Sequence, residues 1–104
     1  MHTYVFVRKD LDWPQVAVQA GHACLELGRQ FFNPYDLHPN LVLIGIKSEA
    51  KLKSVESLLM EQGVRYAKFH DKKLDQDTSI ATEPVSEPRR AIFSKYRLLT
   101  EETK

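Results

Sequence analysis

Only one cysteine, Cys24, occurs in the 104 residues, so no internal disulfide is available. Its place among small helical residues fits packing in a reducing compartment. No apolar run approaches the ~20 residues that span a bilayer, and Met1-His2-Thr3-Tyr4 lacks the basic start and long apolar core of a signal peptide. A soluble, cytoplasmic protein without a membrane partner is therefore expected. Excess charge is missing too: 15 Lys and Arg against 14 Asp and Glu leave +1, so only local charge can decide about nucleic acid. His2, His38 and His70 have no metal-ligand spacing to the cysteine or to an acidic pair, and neither a metal nor another cofactor is expected. Internal repeats and low-complexity segments are also lacking. What remains is one domain over residues 1–104, whose 42% hydrophobic content can bury a modest core without cross-links.

The chain is organised around Asp12-Trp13-Pro14-Gln15-Val16-Ala17-Val18-Gln19-Ala20-Gly21-His22-Ala23-Cys24. Asp12 suits an N-cap, Pro14 a first turn, and Gln15 the third position after the cap, where a capping box places Glu or Gln. Ala17, Ala20, Gly21, Ala23 and Cys24 are small enough to let this helix lie close on a sheet. Gln15, Gln19 and His22 fall at i, i+4 and i+7 and form one polar stripe beside that face.

Before the helix, Tyr4-Val5-Phe6-Val7 reads as an interior strand apolar on both faces, ended by Arg8-Lys9-Asp10. The helix is expected to run to Phe31 or Phe32, where Asn33-Pro34 and then His38-Pro39-Asn40 stop it. Leu41-Val42-Leu43-Ile44-Gly45-Ile46 reads as a second buried strand, with Gly45 marking the close approach of a helix. Ser48 caps a second helix carrying Leu52, Val55, Leu58 and Leu59, closed by Gly63 at C′. Val64 to Phe69 alternates like a strand near an edge, His70 to Asp77 reads as a charged loop, and Thr78 to Thr82 as a last strand stopped by Glu83-Pro84. Ser86-Glu87-Pro88 is expected to start a third helix bearing Ile92, Phe93, Tyr96 and Leu99. This order predicts an α/β single-domain three-layer sandwich, a four-stranded mixed sheet flanked by helices. Ligands in such folds gather at the carboxyl ends of the strands, which nominates Arg8 to Asp12 together with His70 to Lys73.

The segment Val18-Gln19-Ala20-Gly21-His22-Ala23, following Val7-Arg8-Lys9-Asp10-Leu11, resembles the signature of the type 2 peptidyl-tRNA hydrolase family. Val42 to Ile46 with Ser48-Glu49, Phe69-His70-Asp71, Thr78 to Pro84 and Tyr96-Arg97-Leu98-Leu99 resemble its later elements in order, over about residues 3 to 99. The resemblance implies hydrolysis, without a metal, of the ester between a peptide and the 3′ ribose of tRNA, often by a dimer. It maps Gln19 and His22 onto helix-one positions, Asp71 onto the site aspartate and Thr78 onto the threonine opening the last strand, a catalytic set of His22, Asp71, Thr78 and Gln19. Two departures stand out. Gln15 occupies the place of a functional lysine four residues before the glutamine. Only residues 72–77 separate Asp71 from Thr78, so a longer loop with a second threonine is cut short, and Asp75 falls where that threonine would be.

Ester hydrolysis needs a positioned water, a base and donors for the oxyanion. His22 or Asp71 can serve as base, and Thr78 or backbone amides near Asp12 as donors. Each also has a plainer use: a buried histidine bonded to a carbonyl, an aspartate closing a turn. Arg8, Lys9, Lys72 and Lys73 can hold acceptor-stem phosphates, or form a solvated charged loop beside Asp75 and Asp77. Trp13 can stack on a terminal adenine or act as a packing staple, Gln15 can touch RNA or solvent, and Arg89 and Arg90 are equally open. Two readings from different classes follow, a peptidyl-tRNA esterase and a catalytically silent tRNA- or RNA-binding module on the same fold. A hydrolase of some other small ester or amide is a third.

Overall fold

The computed structural model describes residues 1–31 and 38–104. The expected stop at Asn33-Pro34 lies outside them. In order come β1 (His2–Arg8), α1 (Trp13–Gln30), β2 (Asn40–Ile46), α2 (Glu49–Glu61), β3 (Tyr66–Asp71) and β4 (Gln76–Thr82), with a 3-10 turn at Arg89–Phe93. The sheet order is β2-β1-β4-β3. β1 pairs parallel with β2 and antiparallel with β4, which pairs antiparallel with β3. Hence β1, β2 and β3 all run one way, and their carboxyl ends share one end of the sheet with the start of β4.

Alternation along β1 divides the core into two layers. Tyr4 and Phe6 pack with Leu52, Val55 and Leu59 of α2, while Val5 and Val7 face α1 through Ala23 and Val16. The α1 layer is thin: Ala20, Ala23 and Cys24 meet the sheet, and Ser79 Oγ donates to the Gln19 carbonyl at 2.7 Å. Ala17 and Gly21 turn out to be exposed, and nothing lies within 4 Å of a Cβ built at Gly21, so close approach is confined to the other small residues.

The helix ends follow their local chemistry. Asp12 Oδ1 accepts from the Gln15 N–H at 2.9 Å, and Ser48 Oγ from the Lys51 N–H at 3.2 Å. Gly63 holds φ +66°, a left-handed conformation that glycine, having no Cβ, adopts without strain. There its N–H reaches the Met60 carbonyl and that of Val64 the Leu59 carbonyl, closing α2.

Four expectations need correction. β2 is an edge strand, and Leu41 at its start is exposed. A Cβ at Gly45 would meet Leu99 Cδ1 and Lys9 Cδ, each at 3.0 Å, rather than a helix. His70, Asp71, Gln76 and Asp77 belong to β3 and β4, whose hairpin turn is shorter than the charge pattern implies. Finally, the segment from Ser86 to Leu99 forms no regular third helix. After the 3-10 turn the chain wraps round the β2 edge: Phe93 and Tyr96 lie on the α2 face, Leu98 bridges Ile44, the Leu99 N–H donates to the Leu43 carbonyl at 2.9 Å, and the Leu99 side chain joins Val7 and Val16 on the α1 face. A helix presents its apolar residues on one face and cannot serve both layers; the extended turn also satisfies the edge.

That wrap makes a prediction. Leu99 is 8% exposed and Leu98 is 57% exposed. Leu99→Ala should cost about 2–3 kcal/mol and Leu98→Ala no more than about 0.5 kcal/mol, measured by urea unfolding. Equal costs would contradict the wrap.

Candidate functional site

At the shared carboxyl end of the strands, a cleft of about 720 Å³ opens between the start of α1 and the β3–β4 turn. Asp10, Asp12, Gln15, Gln19, His22, Phe69, Asp71, Lys72 and Lys73 are among the residues that line it, so the two segments nominated by topology do meet there.

Gln19 is the pivot of this cleft. It is 0% exposed, packed between α1 and the sheet, and its carboxamide is satisfied at both ends. Thr78 Oγ1 lies 2.7 Å from Gln19 Oε1, and Gln19 Nε2 lies 2.8 Å from Asp71 Oδ2 and 3.2 Å from Gln15 Oε1. The direction of every bond follows from chemistry. An ionised carboxylate only accepts, so the Gln19 NH₂ must face Asp71; its oxygen then faces Thr78, whose hydroxyl must donate. The second Gln19 hydrogen requires the Gln15 oxygen, which leaves the Gln15 NH₂ without a partner among the described residues at the cleft wall.

The backbone that supports this arrangement is irregular. Phe69 pairs with Ser79 and His70 with Asp77, so Thr78 is an extra residue, a bulge in β4. Strict alternation would put Thr78 and Ser79 on opposite faces; the bulge lets both reach Gln19, one at its side chain and one at its carbonyl. Sequence reading missed Ser79 and the bulge. Their one visible signal is a Thr-Ser pair at the start of an otherwise apolar strand.

Asp71 combines its two anticipated uses. Oδ1 closes the hairpin turn by accepting from the Leu74 N–H at 2.9 Å, and Oδ2 receives the Gln19 amide. The Leu74 N–H, then Gln19, hold its carboxyl below the ordinary value of 3.8, and Lys73 adds to the effect. His22 lies flat on Phe69, with ring centres 4.3 Å apart and planes 7° from parallel, and makes no side-chain hydrogen bond among the described residues. Phe69 is the support that sequence reading did not identify. Lys72 and Lys73 are exposed on the rim, in no ion pair among the described residues.

Other nominated residues are engaged elsewhere. Arg8 is 7% exposed; its guanidinium grips Asp10 at 2.6 and 3.0 Å and reaches Gln76 and the Asp77 carbonyl. It ties β1 to β4 and is not a free phosphate ligand. Lys9 Nζ donates to the Thr103 carbonyl. Trp13 stands outside the cleft with Lys104 Nζ 5.4 Å from its ring centre. Thr78 is 0% exposed beneath Gln19, so it cannot donate to a substrate oxyanion directly. Asp75, at φ 53°, points to His70 Nε2 at 3.1 Å, and His70 Nδ1 meets Asp77 at 2.8 Å. Those two carboxylates, Asp77 first, raise the His70 pKa. Arg90 Nε donates to the Tyr4 hydroxyl at 2.8 Å and Arg89 to the Gly63 carbonyl, both remote from the cleft lining. Among the described residues no three metal-ligating side chains converge, and no helix is long and apolar enough to cross a membrane.

Fold and cleft define a small α/β domain with its polar site at the carboxyl ends of the strands, the usual ligand position in open α/β sheets. The chain belongs to the peptidyl-tRNA hydrolase PTH2 family, whose model matches residues 1–99 of the 104. At the level of the family this means a hydrolase acting on peptidyl-tRNA. No curated protein matches the chain.

The chain of bonds predicts how Asp71 titrates. Its folded value is depressed, so its contribution to stability is present above the ordinary value of 3.8 and is lost as pH falls through the lower folded value. Gln19→Leu should move the Asp71 carboxyl upward in a carbon-13 NMR titration. An unmoved value would mean that the amide does not hold the carboxylate.

Proposed function

We propose that this protein hydrolyses the ester between a peptide, or an N-blocked amino acid, and the 3′ ribose of tRNA, within the cleft headed by Gln15, His22 and Asp71. The observation that carries this reading is the directed chain Thr78–Gln19–Asp71/Gln15. It presents a fixed carboxylate and an amide NH₂ to one cleft in a member of a peptidyl-tRNA hydrolase family.

His22 is the proton acceptor. An imidazole nitrogen can take up a proton and give it back within one turnover, whereas Asp71, its carboxyl held below the ordinary value, is the weaker base. A water held between them attacks the ester carbonyl as its proton passes to His22. The oxyanion is met by the Gln15 NH₂ and an ammonium of Lys72 or Lys73. The carbonyl–O3′ bond then breaks, and the proton on His22 passes to the departing 3′ oxygen. Gln19 and Thr78 are positioning residues. A silent tRNA-binding module is the second reading, favoured by one observation: the α1 position that carries a functional lysine in the family pattern holds the neutral Gln15.

The test is peptide release from a defined N-acetyl-aminoacyl-tRNA. His22→Ala should lower turnover by about 10²–10⁴-fold and Gln15→Ala by about 10²-fold, both with the fold intact by circular dichroism. Full turnover in His22→Ala overturns the base assignment. No turnover by the unaltered protein, with tRNA still bound, selects the silent module.

A further inference from the structure

A second cavity, of about 410 Å³, opens at the end of β2 beside the start of α2, lined by Lys9, Lys47, Lys51, Ser54, Lys95 and Arg97, with Tyr96 in its wall. Among the described residues no acidic side chain lines it. Lys47, Lys51, Lys95 and Arg97 are exposed and form no ion pair among the described residues. The nearest carboxylate in sequence, Glu49, is turned away, accepting the Asp77 N–H at 2.8 Å. Lys9 is spoken for by Thr103. In a chain of net charge +1, this is a local concentration of unpaired cations.

The hydrolytic cleft has no such excess. Asp10, Asp12 and Asp71 line it against Lys72 and Lys73, with Arg8 gripping Asp10, so its charges balance. A polyanion gains little there. β2 and β3 lie three strand positions apart in the sheet, and their carboxyl ends point the same way. The two linings nonetheless meet at the end of β1, where Lys9 lines the groove and its neighbour Asp10 lines the cleft. The cleft carboxylate nearest the groove, Asp10, is held by Arg8, so it does not offset the groove's exposed cations. A polyanion lying across this end of the sheet can therefore reach both surfaces.

We propose that the groove of Lys47, Lys51, Lys95 and Arg97 is the phosphate-binding surface for the tRNA whose 3′ end enters the cleft. This inference rests on the tRNA-directed reading above. The two surfaces divide the work: the groove holds backbone without reading sequence, and the cleft handles the ester.

The experiment uses deacylated tRNA, so it does not depend on turnover. Binding of the full chain is followed by fluorescence anisotropy across a salt series. Lys47→Gln and Lys51→Gln should each flatten the slope of log affinity against log salt by about 1. The fourfold variant with Lys95→Gln and Arg97→Gln should flatten it by about 3–4 and weaken binding at least tenfold at physiological salt. Arg29→Gln, on the last turn of α1, should leave slope and affinity unchanged. Unaltered slope and affinity in the fourfold variant, folded by circular dichroism, overturn the groove whatever the turnover. Loss of binding there, beside an unaltered protein that binds but does not hydrolyse, keeps the groove and removes the esterase reading.

Discussion

A carboxamide shut between a helix and a sheet must have both of its ends satisfied, and this domain's site is arranged around that demand. Gln19 is fully buried, and an unmet amide there would cost about 1–3 kcal/mol. Thr78 takes its oxygen, and Asp71 and Gln15 take its two hydrogens. Because the carboxylate can only accept, the whole chain has one direction, and that direction decides which atoms face the cleft. Asp71 is kept ionised, and Gln15 turns its NH₂ to the wall. A helix standing farther from the sheet would break the chain, so the small residues Ala20 and Ala23 are as much part of the site as the polar ones.

Much of this was legible from residue order. The caps at Asp12 and Ser48, the close at Gly63, the apolar β1 and the periodicity of α2 are local signals, and local chemistry enforces them. The failures share a cause. The edge position of β2, the wrap that replaces a third helix, and the bulge at Thr78 are all set by partners far away in sequence. Leu41 to Ile46 reads as a core strand because its edge is closed by Leu98 and Leu99, which a local pattern does not reveal.

The site divides along the same line. Gln15, Gln19, His22, Asp71, Lys72 and Lys73 meet as helix spacing and strand-end topology imply. Arg8, Lys9 and Trp13 do not, since their partners Gln76, Thr103 and Lys104 become neighbours only in the folded chain. Residue type alone could not separate a cation held in a tertiary bond from one left to solvent. The distinction matters for charge: the cations near the first strand's end are consumed, while those around the end of β2 are not.

The central claim is the direction of the Thr78–Gln19–Asp71/Gln15 chain, and the side-chain amide protons report on it most directly. In a nitrogen-15 NMR exchange experiment, the Gln19 NH₂ should exchange slowly and shift as Asp71 titrates, while the Gln15 NH₂ exchanges at the rate of an exposed amide. A fast-exchanging Gln19 amide, indifferent to the Asp71 titration, would contradict the chain and the site built on it.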